Sequence, residues 1–217
     1  MKNILLGLAS IIIFSFWSCD GAVSKYHLGA QFIGLQPYGD VDTTYLNIAK
    51  EAIEDYYGYD VKILASIKLP INARKKTGTR YEYNADKLLI DLRQRLPDNL
   101  TKIVGMLDRD LYTRQKDAKS HKIVSKSQRP GKVSVMSTYL VKKYASSTNN
   151  FENRLKKIIL KEIGHTVGLS SCKDKSSAGD CLMMNSGGSG RVLDDVDYHF
   201  CKECAKKINW DDKANNK

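Results

Sequence analysis

Apolar residues recur every second position in some stretches of the chain and every third or fourth in others, and the two periods separate strands from helices. Val61 to Leu69 alternates cleanly, with Val61, Ile63, Ala65, Ile67 and Leu69 on one side, and predicts a strand with one buried face. Tyr26 to Pro37, Lys102 to Leu107 and Lys132 to Tyr139 also read as strands. Helical spacing appears first after Asp42, a predicted N-cap, where Tyr45, Ile48, Ala49, Ala52, Ile53 and Tyr56 lead to a stop at Gly58. A second helix opens at Tyr83 or Asn84, carries Leu88, Leu89, Leu92 and Leu96, and is stopped by Pro97. A third covers 150–168, with Leu155, Ile158, Ile159, Ile163 and Val167 as its inward stripe. Strands alternating with helices predict an α/β layer built on a mostly parallel sheet.

The N-terminus breaks this pattern. One charge at Lys2 precedes an apolar run from Ile4 to Trp17, and Ser18-Cys19-Asp20 follows. The run is shorter than a membrane span and has the layout of an export signal. A small residue just before Cys19 resembles the lipobox of bacterial lipoproteins. The resemblance implies a signal peptide at 1–18, acylation of Cys19, a tether at 19–25, a folded domain at 26–204 and a polar tail at 205–217. A plain secretory signal is the alternative. The lipoprotein reading places the protein in the bacterial cell envelope, held to the membrane by its lipid, since each buried CH₂ contributes ~0.8 kcal/mol.

Composition is that of a globular protein, 42% hydrophobic and 27% charged over 217 residues, enough for one domain with a full core. The net charge is +11, and seven Lys and Arg lie between Arg114 and Lys132 with a single acid, Asp117. Such a run is expected to be a solvated loop, or else a contact for anionic headgroups or an acidic partner. Export argues against nucleic acid as the partner. A monomer is expected.

Setting Cys19 aside, Cys172, Cys181, Cys201 and Cys204 crowd into the C-terminal quarter. Cys201 and Cys204 form a C-x₂-C pair, which suits a tetrahedral zinc site; two disulfides are the rival.

On the third helix, Lys161 and His165 stand four residues apart with Glu162 between them, and Gly168 and Ser171 follow. In a zincin helix, two His at this spacing bind zinc and the Glu after the first polarises the bound water. The longer metzincin pattern adds a Gly, a third His and a Met-turn. Here Lys161 stands in the first His position and Ser171 in the third.

The cysteines and Met183 make the resemblance specific. The order Lys161-Glu162-x-x-His165-x-x-Gly168-x-x-Ser171, Cys172, Cys181-Leu182-Met183 and Cys201-x₂-Cys204 is similar to that of the archaemetzincin family. The family has seventeen residues between the Met and the CxxC pair, as here, whereas the first Cys pair is farther apart in this chain. Arg80 to Ala85, Gly105 to Tyr112 and Val135 to Tyr139 are similar to family segments ahead of the helix.

The resemblance implies a metzincin-like fold of mixed α+β character. A twisted mixed sheet with helices, including the active-site helix, would face a small C-terminal zinc-bound subdomain across a cleft. It implies peptidase ancestry, a structural zinc on Cys172, Cys181, Cys201 and Cys204, and Met183 as the Met-turn. Glu162 would be the general base and His165 the remaining ligand of a catalytic zinc. A protonated Lys161 would repel that metal and Ser171 would ligate it poorly. The expectation is therefore a pseudopeptidase. Its rivals are a peptidase using non-standard ligands such as Asp174 or His199, and an anchored module that binds a peptide or protein without cutting it. A hydrolase with Ser170 or Ser171 as nucleophile lacks a visible base.

Overall fold

The structure is a computed structural model that describes residues 32–114, 120–172, 181–184 and 190–208. The proposed signal peptide, Cys19, the tether, Asp174 and the end of the tail lie outside the described residues.

A five-stranded sheet forms the centre. Its strands are β1 (Phe32–Tyr38), β2 (Asp60–Ile63), β5 (Lys102–Leu107), β8 (Ser125–Ser127) and β9 (Val133–Ser137), in the order β2-β1-β5-β9-β8. All neighbours are parallel except β8, which runs antiparallel to β9 at the edge. A smaller sheet joins β3 (Arg74–Thr77), β4 (Arg80–Asn84), β6 (Asp110–Arg114) and β7 (Ser120–Lys122), with a parallel β4–β6 pair at its middle. The mixed α/β architecture anticipated from the sequence is thus observed.

Period 2 along β5 divides the core. Ile103 and Leu107 join Leu88 and Leu92 of α2 (Ala85–Arg95) on one face of the large sheet. Val104 and Met106 join α1 (Thr43–Tyr57) and α4 (Thr148–Thr166) on the other. Local signals set the helix ends. Asp42 accepts from Thr44 N at 2.8 Å, and Gly58, at φ 67°, closes α1 in a left-handed turn that a Cβ would disfavour. Asn84 accepts from Lys87 N at 3.1 Å to begin α2, which ends at Arg95, two residues before Pro97.

Three expectations need correction. The strand predicted to Leu69 stops at Ile63, and past it Ile67 makes only one parallel bridge, with Tyr38. Pro37 has no N–H to extend the ladder there; Gln36 Nε2 donates to Ala65 O instead, at 2.7 Å. The strand predicted to Tyr139 ends at Ser137, whose hydroxyl caps α3 (Thr138–Lys143) by accepting from Leu140 N at 3.1 Å.

The third concerns the basic run, which is not simply a solvated loop, because β7 and β8 lie within it. Lys122 sits 3.1 Å from Asp110 and 3.2 Å from Glu82, and Lys126 sits 2.5 Å from Asp86. At the other end of the domain, α5 (Lys202–Lys207) runs across the 204/205 boundary drawn from sequence. Among the described residues no helix is long and apolar enough to cross a membrane.

Candidate metal centre

The nineteen residues of α4 carry the site. Ser147 accepts from Asn150 N at 3.1 Å and starts the helix. Lys102 receives its far end, with Nζ donating to Thr166 O at 3.4 Å and to Gly131 O at 3.1 Å. Burial pushes the Lys102 ammonium down to about 8, and the Lys132 charge adds to the effect. A second anchor sits midway. Arg154 grips Asp194 with Nε at 2.7 Å and a second guanidinium nitrogen at 2.5 Å, while Lys157 donates to Leu193 O at 2.8 Å. These contacts fasten the C-terminal segment to the helix.

Glu162 is buried, and both its carboxylate oxygens are engaged. Ser125 donates to Oε1 at 2.7 Å and Ser127 donates to Oε2. Both serines lie on β8, so the edge strand is fixed to the helix through this side chain. His165 Nδ1 is 2.7 Å from Leu169 O. A carbonyl only accepts, so Nδ1 is the donor, an arrangement that in the neutral ring leaves the Nε2 lone pair for a metal. A cavity of about 430 Å³ is lined by Glu162, His165 and Ser171 together with Ser125, Ser127 and Arg129.

Lys161 is absent from that lining. Its side chain is buried and Nζ donates to Met184 O at 2.5 Å. Burial lowers the ammonium from its ordinary value, while the charges of Glu162 and Cys181 act the other way. So the cavity gathers Glu162, His165 and Ser171 as the spacing anticipated, and the residue in the first-ligand position turns to a backbone carbonyl. His199 does not complete the set; it is exposed, with Nδ1 3.9 Å from Asp197, and is not part of the lining. Ser170 does not line the cavity either.

Met183 lies fully buried beneath the helix. A Cβ built on Gly164 would stand 2.8 Å from Met183 Sδ, so the close approach of helix and turn requires that glycine. Cys172 N donates to Met183 O at 2.6 Å, tying the turn to the chain that leaves α4.

The same tie brings the thiols together. Cys172, Cys181, Cys201 and Cys204 are all buried, unbridged, and hold their sulfurs within 4.8 Å of one another. Cys172 and Cys201 are 3.7 Å apart, Sγ to Sγ. A tetrahedron with Zn–S bonds near 2.3 Å has edges of about 3.8 Å, so the cluster fits zinc in size as well as in donor type. The disulfide alternative is not adopted. Burial drives the Cys181 thiol up to about 11, which a bound cation would offset by stabilising the thiolate.

Sequence reading missed Ser125 and Ser127, which sit in a three-residue strand too short to show a period, and it missed Arg154 and Asp194, forty residues apart.

Comparison with known proteins bears on the family and the fold. The model of peptidase family M54 matches residues 30–210. An archaemetzincin of Natronomonas pharaonis is 27% identical over 183 residues, covering 81% of this chain and 98% of that protein. One from Methanocaldococcus jannaschii is 27% identical over 180 residues, covering 81% of this chain and 92% of that protein. Among solved structures, an archaemetzincin from Methanopyrus kandleri superposes with a TM-score of 0.67 at 24% identity, covering 84% of this chain and 96% of its own. One from Archaeoglobus fulgidus, complexed with malonate, gives 0.65 at 21% identity, covering 82% and 99%.

Proposed function

The chain belongs to peptidase family M54, and on that premise we propose that it is a pseudopeptidase. It keeps the family's fold and a structural zinc on Cys172, Cys181, Cys201 and Cys204, and it lacks a competent catalytic zinc. One observation carries this reading: the Lys161 amine is bound to Met184 O, and among the described residues His165 is the one imidazole lining the cavity. Three protein ligands are the usual minimum for a catalytic zinc, and a neutral Ser171 hydroxyl is a weak substitute.

Glu162 would have no metal-bound water to act on. Its carboxylate instead serves as the acceptor that holds β8. The exposed side of β8 would then grip an extended peptide or protein without cutting it, through main-chain hydrogen bonds. The N-terminal pattern supports export, removal of 1–18 and attachment to the bacterial envelope through lipid on Cys19.

Metal analysis of the purified mature protein tests the proposal. One zinc per chain and no peptide hydrolysis are expected. Two zincs, with chelator-sensitive cleavage that disappears in Glu162→Gln, would establish an active enzyme with non-standard ligands. Lys161→His combined with Ser171→His should admit a second zinc, because the helix and its Gly turn are in place. Labelling with a radioactive fatty acid, lost in Cys19→Ala, tests the anchor.

A further inference from the structure

In the basic run 114–132, Lys122 and Lys126 are engaged by Glu82, Asp110 and Asp86. Unpaired positive charge gathers elsewhere. The stretch from Leu64 to Arg95 holds eight Lys and Arg against three acids, Glu82, Asp86 and Asp91. Each acid has an ion pair, with Lys122, Lys126 and Arg95 in turn. Among the described residues the other seven cations have none, and all seven are exposed.

Two bare isoleucines sit among these cations. Ile71 is 74% exposed and Ile90 59%, more than any other large apolar side chain of the described residues. Ile71 opens the 3₁₀ turn Ile71–Ala73, which leads into β3. Asn72 O accepts from Lys87 Nζ at 2.6 Å, so this tip lies against the first turns of α2. Ile90 is one turn farther along that helix. It stands opposite Leu88 and Leu92, which α2 buries, with Lys87 and Arg93 three residues to either side. Arg74 and Lys76 share a face of the small sheet with Tyr81, and the Arg74 guanidinium lies 4.9 Å from the centre of that ring. Tyr81 is exposed as well.

Charge also differs between the two sides of the large sheet. α2 packs on one face and α1 on the other. The α1 stretch, from Asp42 to Asp60, carries five acids against Lys50. The domain therefore turns a basic, isoleucine-tipped side one way and an acidic side the other. A second copy of the chain would meet its own charge at the basic side. Nucleic acid would suit the cations, but its phosphates give aliphatic tips no apolar surface to join. An anionic bilayer answers both, with phosphates for the cations and an acyl boundary for the tips.

We infer that this side of the domain docks on the anionic surface of a bilayer. Arg74, Lys76, Lys87 and Arg93 lie among the headgroups, and Ile71 and Ile90 reach the acyl boundary. The inference rests on the envelope reading above, since a bilayer must be within reach. A lipid on Cys19 holds the chain at one point and leaves its orientation open; the basic side sets that orientation. Docking there leaves α4, which packs with α1, on the side turned away from the lipid.

Vesicle sedimentation of the zinc-loaded chain 19–217 carrying Cys19→Ala tests the inference with no acyl chain present, so its failure and a failure of acylation are read separately. Vesicles of phosphatidylcholine with about one-third phosphatidylglycerol should bind it saturably, and pure phosphatidylcholine about tenfold more weakly or less. Raising salt from about 0.05 to 0.5 M should weaken binding about tenfold or more. Arg74→Glu with Lys76→Glu, at exposed positions of an edge strand, should also weaken it about tenfold or more. Ile71→Ser with Ile90→Ser leaves the charge unchanged and should weaken it about fivefold. Lys50→Glu with Lys156→Glu makes the same change of charge on the α1 and α4 side and should alter it less than about twofold. Circular dichroism confirms that each variant folds. Failure to bind the anionic vesicles, equal binding to both kinds, an equal loss in Lys50→Glu with Lys156→Glu, or full binding in the isoleucine variant would each overturn the assignment. The last outcome would mark a surface for polyanions such as nucleic acid.

Discussion

Ser125 on the edge strand donates to Glu162 on α4 at 2.7 Å, and Ser127, two residues on, donates to the other oxygen of the same carboxylate. The side chain that the motif assigns to proton transfer is thus a tie between helix and strand. Strand β8 is only three residues long, and on its sheet side it has β9 alone. Ser125→Ala should therefore destabilise the fold by about 1–2 kcal/mol, and the double variant with Ser127→Ala by about 3 kcal/mol, since each change leaves a buried carboxylate oxygen short of a donor. Urea unfolding at pH 7 gives the numbers, and hydrogen exchange should show residues 125–127 opening first.

Gly164 and Met183 form a second tight pair. Gly164→Ala gains up to about 1 kcal/mol of helix propensity. It also places a methyl 2.8 Å from Met183 Sδ inside a filled core, a clash of about 1–3 kcal/mol. Net destabilisation is expected. Truncating Met183 to Ala in the same chain should recover part of that loss, so the double variant should cost less than the two single changes added together. Thermal melts of the four proteins in the cycle decide it.

The four-thiol cluster should hold the C-terminal segment in place. Cys201→Ser with Cys204→Ser, or exhaustive chelation, should remove the zinc and loosen residues 181–208, because a structural zinc contributes folding energy directly. The melting temperature should fall and recover on adding zinc to the chelated wild type. In the double variant it should not recover.

Asp194 links stability to pH. The hydrogen bonds from Arg154, the largest influence, hold its carboxyl below the usual value. A carboxyl depressed in the folded state adds stability above its unfolded value, near pH 4. That contribution fades as pH drops through the lower folded value. Asp194 is 37% exposed, so after solvent screening the effect is about 1 kcal/mol or less. Asp194→Asn should lower stability at pH 7 and flatten this part of the acid limb below pH 4, as read from denaturant midpoints across pH 2–7.

The helices α1, α2 and α4 were legible because their signals are local. Asp42 and Asn84 cap the turns that they precede, Gly58 ends α1 through its own backbone angle, and the stripes on α1 and α4 face the core as the 3.6-residue period requires. The four cysteines were legible because few arrangements other than a metal site bring so many thiols into so short a segment. The small sheet was not. Its outer strand β3 is exposed throughout and β7 is three polar residues, so neither carries an apolar period, and their pairing depends on neighbours distant in sequence.

By itself the sequence determined the family pattern, the thiol set and the two substitutions at Lys161 and Ser171, all of which are matters of residue identity and spacing. Tertiary structure decided where those groups point. The Lys161 amine reaches Met184 O, Ser125 and Ser127 meet Glu162, and Lys122 meets both Glu82 and Asp110. The physical reason is that hydrogen bonds and buried charges are satisfied by whichever partner the packed chain delivers, and a linear pattern carries no record of contacts between residues many positions apart.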